Sequence, residues 1–354
     1  MMGDIKLMKG NEALAEAMIR AGCDAYFGYP ITPQSEVLEY LSQDATKRTG
    51  MVVLQAESEV AAINMIYGAA ACGKRVMTTS SSPGISLMQE GLSYIASAQL
   101  PCLLANVNRG GPGLGTIQPS QGDYMQAVKG GGHGDYKLLV LAPSTVQEMV
   151  DFVKLGFELA EKYRNPCMIL ADGAIGQMME KVELFPQMKR STELKPWATT
   201  GKPKDKERRI ITSLFIQPEK MEQINLGLQK KYREMEATEV RFKTMNTEDA
   251  EYIFTGYGLG ARICMKAMEL GRAKGYKIGL IRPITLYPFP QKTFYDIAPK
   301  IKGILDVELN AGQMVEDVRL SVNGRTRVEF YGRMGGVIPS PEEILENFER
   351  IFIS

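Results

Sequence analysis

The chain has 354 residues, 44% hydrophobic and 23% charged, with 42 Lys and Arg against 41 Asp and Glu. That length predicts two domains or three, and a formal net charge of +1 gives no sign of steering by nucleic acid or an anionic membrane. No apolar run approaches the roughly 20 residues of a spanning helix, and the opening Met-Met-Gly-Asp-Ile-Lys has no signal-type hydrophobic stretch, so a cytoplasmic protein without a membrane partner is expected.

In chain order, residues 9–22 read as an amphipathic helix capped by Asn11 and ended by Gly22. Short apolar strands follow at 24–28, 52–55, 75–79, 102–107, 137–141 and 166–171, alternating with helices at 34–45, 59–72, 86–97 and 145–163. Strands separated by helices predict an α/β fold with a mostly parallel sheet covered on both faces. Such sheets bind ligands beyond the carboxyl ends of their strands, and the polar features of this chain gather in the loops there.

Gly28-Tyr29-Pro30-Ile31-Thr32-Pro33 closes the first strand with two prolines, each of fixed φ and without an N–H. The residues before them, Tyr29 and Thr32, are pushed to extended geometry, which puts the Thr32 hydroxyl on a stiff loop. The next strand ends in Gln55-Ala56-Glu57-Ser58-Glu59, and an Ala- and Gly-rich helix begins there with Ser58 as its expected N-cap. Glu59 is then either a carboxylate favoured by the helix dipole or, because that helix face suits burial, a buried acid in need of a partner. Thr78-Thr79-Ser80-Ser81-Ser82-Pro83-Gly84 offers an anion site at a helix start, or simply helix capping by Ser82. Arg109, before Gly110-Gly111-Pro112-Gly113-Leu114-Gly115, presents a planar fork suited to a carboxylate; the alternative is a surface arginine paired with Asp123 or Glu90. All of these fall at strand carboxyl ends, which points to one site.

The cysteines (Cys23, Cys72, Cys102, Cys167, Cys264) form no C-x-x-C pair and supply no zinc or iron–sulfur ligand set. Each lies among apolar residues and is expected as a buried free thiol. His133, in Gly130-Gly131-Gly132-His133-Gly134-Asp135, is the single histidine, so a His-centred triad or a multi-His metal site is excluded and no metal is expected on this chain. A ligand contact and a backbone-bonded loop role both stay open for it.

Past residue 185 the composition turns polar and holds Trp197, the only tryptophan, in a connector. Residues 219–243 read as an amphipathic helix, either an intramolecular strap or a partner-binding element. An α/β pattern resumes with strands at 252–255, 278–282, 303–307 and 327–331 and helices at 261–274, 291–298 and 312–322, a second and smaller domain. Gly256-Tyr257-Gly258-Leu259-Gly260 has part of a dinucleotide fingerprint, but the full G-x-G-x-x-G is missing and Arg282-Pro283 stands where an acid is needed. Gly73-Lys74 is followed by Arg75 and makes no phosphate-binding loop.

Three separated stretches occur in order: GYPITPQ at 28–34, QAESEVAAINMIYGAAACGKRVMTTSSSPGISLMQEGLSY at 55–94, and NVNRGGPGLGTIQPSQGDY at 106–124. Together they resemble the α-type subunits of 2-oxoacid:ferredoxin oxidoreductases, nearest to those of the branched-chain, 2-oxoisovalerate enzymes. The likeness runs from about residue 7 to the C-terminus. It implies a thiamine-diphosphate-enzyme pyrimidine-binding domain over 1–185, a connector over 186–248 and a transketolase C-terminal-like domain over 249–354. It aligns Glu59, and not Glu57, with the catalytic carboxylate on N1′ of the aminopyrimidine ring of thiamine diphosphate. Thr32 and Arg109 match its substrate-contacting Thr and Arg, and Tyr29, Pro30, Ser81 and Ser82 fall where the cofactor is lined. The implied reaction decarboxylates a 2-oxoacid oxidatively, passes electrons through iron–sulfur clusters to ferredoxin, and gives the acyl group to CoA as co-substrate.

Asp172-Gly173 has Ala171 where the magnesium–diphosphate motif needs Gly, and no placed Asn completes it. Magnesium, the diphosphate grip and the clusters are therefore expected from partners: a β-type, a γ-type and a ferredoxin-like subunit. Pyruvate, 2-oxoglutarate and indolepyruvate remain alternative substrates. An NAD-dependent dehydrogenase using Gly256–Gly260 and a non-catalytic scaffold remain distant alternatives.

Overall fold

The computed structural model describes residues 4–202, 204 and 207–354. Strand β1 (Asp4–Lys9) leads into α1 (Gly10–Arg20), then β2 (Ala25–Gly28), α2 (Ser35–Thr49), β3 (Val52–Gln55), α3 (Glu59–Ala71), β4 (Val76–Ser80) and α4 (Ser82–Ser97). The first half continues through β5 (Cys102–Asn108), β6 (Leu139–Leu141), α5 (Val146–Tyr163), β7 (Pro166–Asp172), α6 (Gly173–Gln177) and β8 (Met179–Leu184). The long helix α7 (Pro218–Thr238) precedes β9 (Phe242–Met245), β10 (Tyr252–Thr255), α8 (Gly258–Ala273), β11 (Ile278–Pro283) and β12 (Thr285–Tyr287). The chain closes with α9 (Gln291–Ile297), β13 (Gly303–Glu308), α10 (Met314–Val322), β14 (Arg327–Gly332) and α11 (Pro341–Phe348). Among the described residues no helix is long and apolar enough to cross a membrane.

The larger sheet has the order β12-β6-β7-β5-β4-β2-β3. All neighbours are parallel except β12, which runs antiparallel to β6 at the edge. From β2 the chain goes outward to β3 and then returns across β2 to β4, so the strand order reverses between β2 and β4. A doubly wound sheet leaves a crevice at that reversal, and here the loops carrying Thr32 and Ser81 leave it. The smaller sheet is β14-β13-β10-β11-β9, parallel apart from β9. A two-stranded ribbon of β1 and β8 completes the strands.

Several expectations are corrected. Asn11 does not cap α1: it lies within the first turn, fully buried, and donates to the Pro33 carbonyl at 2.7 Å and to Glu36 at 2.9 Å. Helix α4 begins at Ser82 rather than at 86, with Ser81 and not Ser82 at the N-cap. Cys72 is exposed because it follows the last turn of α3 at the surface; the other four cysteines are buried. Strand β9, inside the expected connector, edges the second sheet, and β12, inside the expected second domain, joins the first. Composition does not say which sheet edge so short a strand will join.

Helix α7 is an intramolecular strap. Its Leu228, Tyr232 and Met235 are buried in the larger core, and Lys231 donates to the Arg164 carbonyl at 3.2 Å. The domains lock through Gln121, whose side chain bonds the Tyr257 carbonyl at 2.8 Å and the Leu309 N–H at 3.0 Å. Arg282 Nη2 adds bonds to both carboxylate oxygens of Glu148, each 2.8 Å. The Gly256–Gly260 turn is filled by this junction. Gly258 has φ +52°, and a Cβ there would stand 3.1 Å from Gln121 Nε2 and 3.2 Å from Asp172 Oδ2. Asp172 already accepts from the Leu259 N–H at the start of α8 at 3.2 Å. The glycines admit side chains of the first domain where a nucleotide pyrophosphate would need room, which overturns the dehydrogenase alternative.

Candidate active site

The loop after β2 is clamped from below. Pro33 presents its carbonyl to Asn11 and to Gln177, at 2.7 and 3.0 Å. Tyr26 bonds Thr79 at 2.7 Å, Thr79 bonds Gln34, and Gln34 donates to the Tyr29 carbonyl at 3.4 Å. Tyr26, Thr79 and Gln34 are fully buried, so the loop rests on a fixed polar base while Tyr29, Pro30 and Thr32 face outward.

Arg109, just past β5, reaches across to this loop. It donates to the Thr32 carbonyl at 3.0 Å and to the Leu114 carbonyl at 3.1 Å. Neither expected carboxylate neutralises it: Asp123 is taken by Ser82 at 2.6 Å and by Asn106 at 2.8 Å, and Glu90 by Tyr94 at 2.5 Å. Its Nε is buried without a partner. Two carbonyls use part of a five-donor fork and, among the described residues, no carboxylate matches its charge beside the exposed Thr32.

Glu59 opens α3, whose N-cap Ser58 accepts from the Ala61 N–H at 3.2 Å. The residue is 6% exposed, and its carboxylate accepts no hydrogen bond among the described residues. Gly84 lies against it: a Cβ there would stand 2.5 Å from Glu59 Oε1 and closer still to Ser80 Oγ. The Ser80 and Ser81 hydroxyls and Asn106 Oδ1 are buried without partners among the described residues. Buried polar atoms are almost always bonded. A group of them at a switch-point crevice suits a ring that both donates and accepts hydrogen bonds, so these residues fit an aminopyrimidine.

Ser82 differs from Ser81. Its hydroxyl donates to Asp123 and accepts from the Arg109 N–H at 3.1 Å, so it ties the Arg109 backbone to the helix start. Burial pushes the Asp123 carboxyl up, against the bonds from Ser82 and Asn106 that lower it. Sequence offers Asp123 only as a partner for Arg109 and does not single out Asn106 or Gln34; the available signal is Asn106-Val107-Asn108, polar residues on a fully buried strand. His133 is exposed, edge-on to Tyr94 at 6.2 Å, and its carbonyl accepts from Ser93 at 2.7 Å; it has a loop role.

A switch-point crevice beside a buried acid and an arginine, flanked by a smaller parallel-sheet domain, puts the chain in the doubly wound α/β class whose ligands sit at strand carboxyl ends. Comparison with known proteins narrows that class. The family described as pyruvate flavodoxin/ferredoxin oxidoreductase, thiamine diphosphate-binding, matches residues 16–248, and the pyruvate:ferredoxin oxidoreductase core domain II matches 250–344. The chain belongs to this oxidoreductase family. It is 46% identical over 349 residues to the ketoisovalerate oxidoreductase subunit VorB of Methanothermobacter thermautotrophicus, covering 98% of this chain and 97% of that one. The 2-oxoglutarate synthase subunit KorA of Methanocaldococcus jannaschii is 35% identical, with 96% and 98% covered. A solved 2-oxoglutarate:ferredoxin oxidoreductase from Magnetococcus marinus, with 2-oxoglutarate, coenzyme A and succinyl-CoA bound, superposes with a TM-score of 0.87 at 28% identity, over 98% of this chain and 65% of that one. A split-gene transketolase at 12% identity and a TM-score of 0.60 shares the fold.

Proposed function

We propose that this chain is the α-type subunit of a 2-oxoacid:ferredoxin oxidoreductase that converts a branched-chain 2-oxoacid, 2-oxoisovalerate, to acyl-CoA and carbon dioxide. The observation that carries the reading is Glu59, a residue only 6% exposed whose carboxylate accepts no hydrogen bond among the described residues and stands beside Gly84, whose Cβ position also meets Ser80 Oγ. When bound, thiamine diphosphate supplies a carbon nucleophile and an electron sink for loss of carbon dioxide. Glu59 would hold the proton shared with ring nitrogen N1′, and Ser81, with Tyr29 and Pro30 on the loop, would line the ring. Arg109 takes the substrate carboxylate and Thr32 orients its carbonyl. Ser82 acts by fixing Arg109.

Leu114 and Ile117 stand exposed beside Arg109 and suit an aliphatic substrate side chain. The higher identity to the ketoisovalerate subunit supports the same choice over 2-oxoglutarate. Val60 and Met65 on α3 and Leu87 on α4 are exposed apolar side chains, a surface on which a β-type subunit carrying the diphosphate site, magnesium and a cluster would seat. Ferredoxin-like and γ-type subunits complete the assembly, with ferredoxin as electron acceptor and CoA as acyl acceptor.

The test is the co-expressed complex assayed against 2-oxoisovalerate, pyruvate, 2-oxoglutarate and indolepyruvate with CoA and a viologen dye. 2-Oxoisovalerate should give the highest kcat/KM, and Glu59→Gln should lower turnover by about 10²–10⁴-fold at unchanged melting temperature. Wild-type turnover in Glu59→Gln would remove that acid from the chemistry, and preference for another oxoacid would overturn the substrate assignment.

A further inference from the structure

At the end of the larger sheet opposite Glu59, where β6 starts and antiparallel β12 finishes, a cleft of about 740 Å³ opens between the two domains and α7. Its size is that of a small-molecule site, typically about 300–1,000 Å³. Leu286 and Tyr287 of β12, Phe289 after it and Phe242 of β9 make an apolar and aromatic surface. Leu320 of α10 borders it and is exposed.

The carboxylates lining the cleft all have donors. Asp317 takes the Lys129 ammonium and, at 2.6 Å, the Tyr124 hydroxyl. Asp296 takes Lys292 at 2.7 Å, and Glu236 takes the Tyr287 hydroxyl at 3.0 Å. Lys137 stands apart. Its ammonium donates to the Val128 carbonyl at 3.3 Å and lies 5.7 Å from the centre of the Tyr287 ring. It pairs with no carboxylate among the described residues. An ammonium has three donors, so two point at no protein acceptor. Burial and the neighbouring Lys129 charge lower its pKa, against the pull of Asp317, Glu236 and Asp135. The cleft therefore combines apolar walls, an aromatic face and a cation with unused bonding capacity.

We infer that this cleft binds a small organic anion with a flat or apolar body, its acidic group on Lys137 and its body against Tyr287, Phe289 and Phe242. Charge alone would make Lys137 a solvated surface lysine; the ring it overhangs and the surrounding apolar wall give an anion a partly dry seat, in which a charge-assisted bond is stronger.

Two measurements on the full chain test it. Pyridoxal 5′-phosphate, an aromatic phosphate, condenses through its aldehyde with an unprotonated lysine, losing water, and borohydride reduces the imine. Peptide mapping after limited labelling should find Lys137 protected by 8-anilino-1-naphthalenesulfonate while exposed Lys47 and Lys154 label as before; no protection of Lys137 would overturn the site. The second is titration with 8-anilino-1-naphthalenesulfonate, followed by fluorescence. Lys137→Met and the surface change Leu320→Glu should each weaken binding by about tenfold, a loss of about 1.4 kcal/mol. Displacement by phenyl phosphate rather than benzoate would assign a phosphate ester, and the reverse a carboxylate. Displacement by neither, or unchanged titration in Lys137→Met, would refute the proposal.

Discussion

Gly84 gives the sharpest test of the cofactor cradle. It sits in the first turn of α4 with an ordinary helical backbone, so Gly84→Ala by itself should stabilise the helix by about 0.5–1 kcal/mol. The cradle opposes this. The new methyl would stand 2.5 Å from Glu59 Oε1 and nearer still to Ser80 Oγ, whereas nonbonded heavy atoms settle at about 3.5 Å or more. The carboxylate must therefore retreat by about 1 Å, and overpacking of that kind costs about 1–3 kcal/mol. The net expectation is a loss of stability of about 0–2.5 kcal/mol. Function should suffer more, because a 1 Å displacement of a catalytic group costs about 10²-fold in rate. Viologen-linked turnover of the co-expressed complex, with circular-dichroism melting as control, measures both. Wild-type turnover together with a raised melting temperature would show that Glu59 is not held against Gly84 and would remove the main geometric support for its role.

Arg109→Lys keeps the charge but loses the fork. The KM for the oxoacid should rise about 10–100-fold, as for a charged hydrogen bond worth about 1.5–3 kcal/mol, and an unchanged KM would place the carboxylate elsewhere. The junction between the domains should be acid-sensitive. Burial alone would raise the Glu148 pKa, but the Arg282 guanidinium on its carboxylate, helped by the Ser144 N–H and Lys243, holds it below the usual range. A depressed carboxylate stabilises the fold above its unfolded value of about 4.3 and loses that contribution as pH falls through the folded value. Thermal melts should therefore weaken below about pH 4, and Glu148→Gln should flatten that part of the profile; an identical acid limb in the variant would refute the linkage.

The fold was readable where patterns are local. Buried parallel strands such as β5 and β7 are near-continuous apolar runs, and Ser58 caps α3 as its hydroxyl and position predict. What escaped was set by distant neighbours. Asn11 has the chemistry of a cap, but the Pro33 carbonyl, 22 residues away, claims its amide. Thr285–Tyr287 has no pattern that favours the first sheet over the second; the open edge of β6 decides it. At the site, residue types named Glu59, Thr32 and Arg109, and the structure brings Thr32 and Arg109 into direct contact. The division of labour between adjacent serines was invisible, because it depends on Asp123, 41 residues beyond Ser82.

Asp172 shows how a position lacking the rest of a metal motif can acquire another task. Fully formed, that motif would point carboxylate oxygens at magnesium. Here Oδ1 accepts the Ala174 and Ile175 N–H groups at 3.0 and 3.1 Å, capping α6, and Oδ2 accepts the Leu259 N–H at 3.2 Å at the start of α8. A single acid thus fastens two helix starts from different domains. Burial pushes its carboxyl up to about 6, against the backbone bonds that lower it. Because the folded value lies above the unfolded one, the native state binds the extra proton, so this group's contribution to stability should decline as pH rises from about 4 to about 6 and stay level above that. Asp172→Asn keeps a good N-cap and cannot titrate, so its melting temperature should lack that decline. Asp172→Ala should lose about 1–2 kcal/mol through the missing cap alone. If Asp172→Asn followed the same pH profile as the wild type, the buried latch would not be the titrating group.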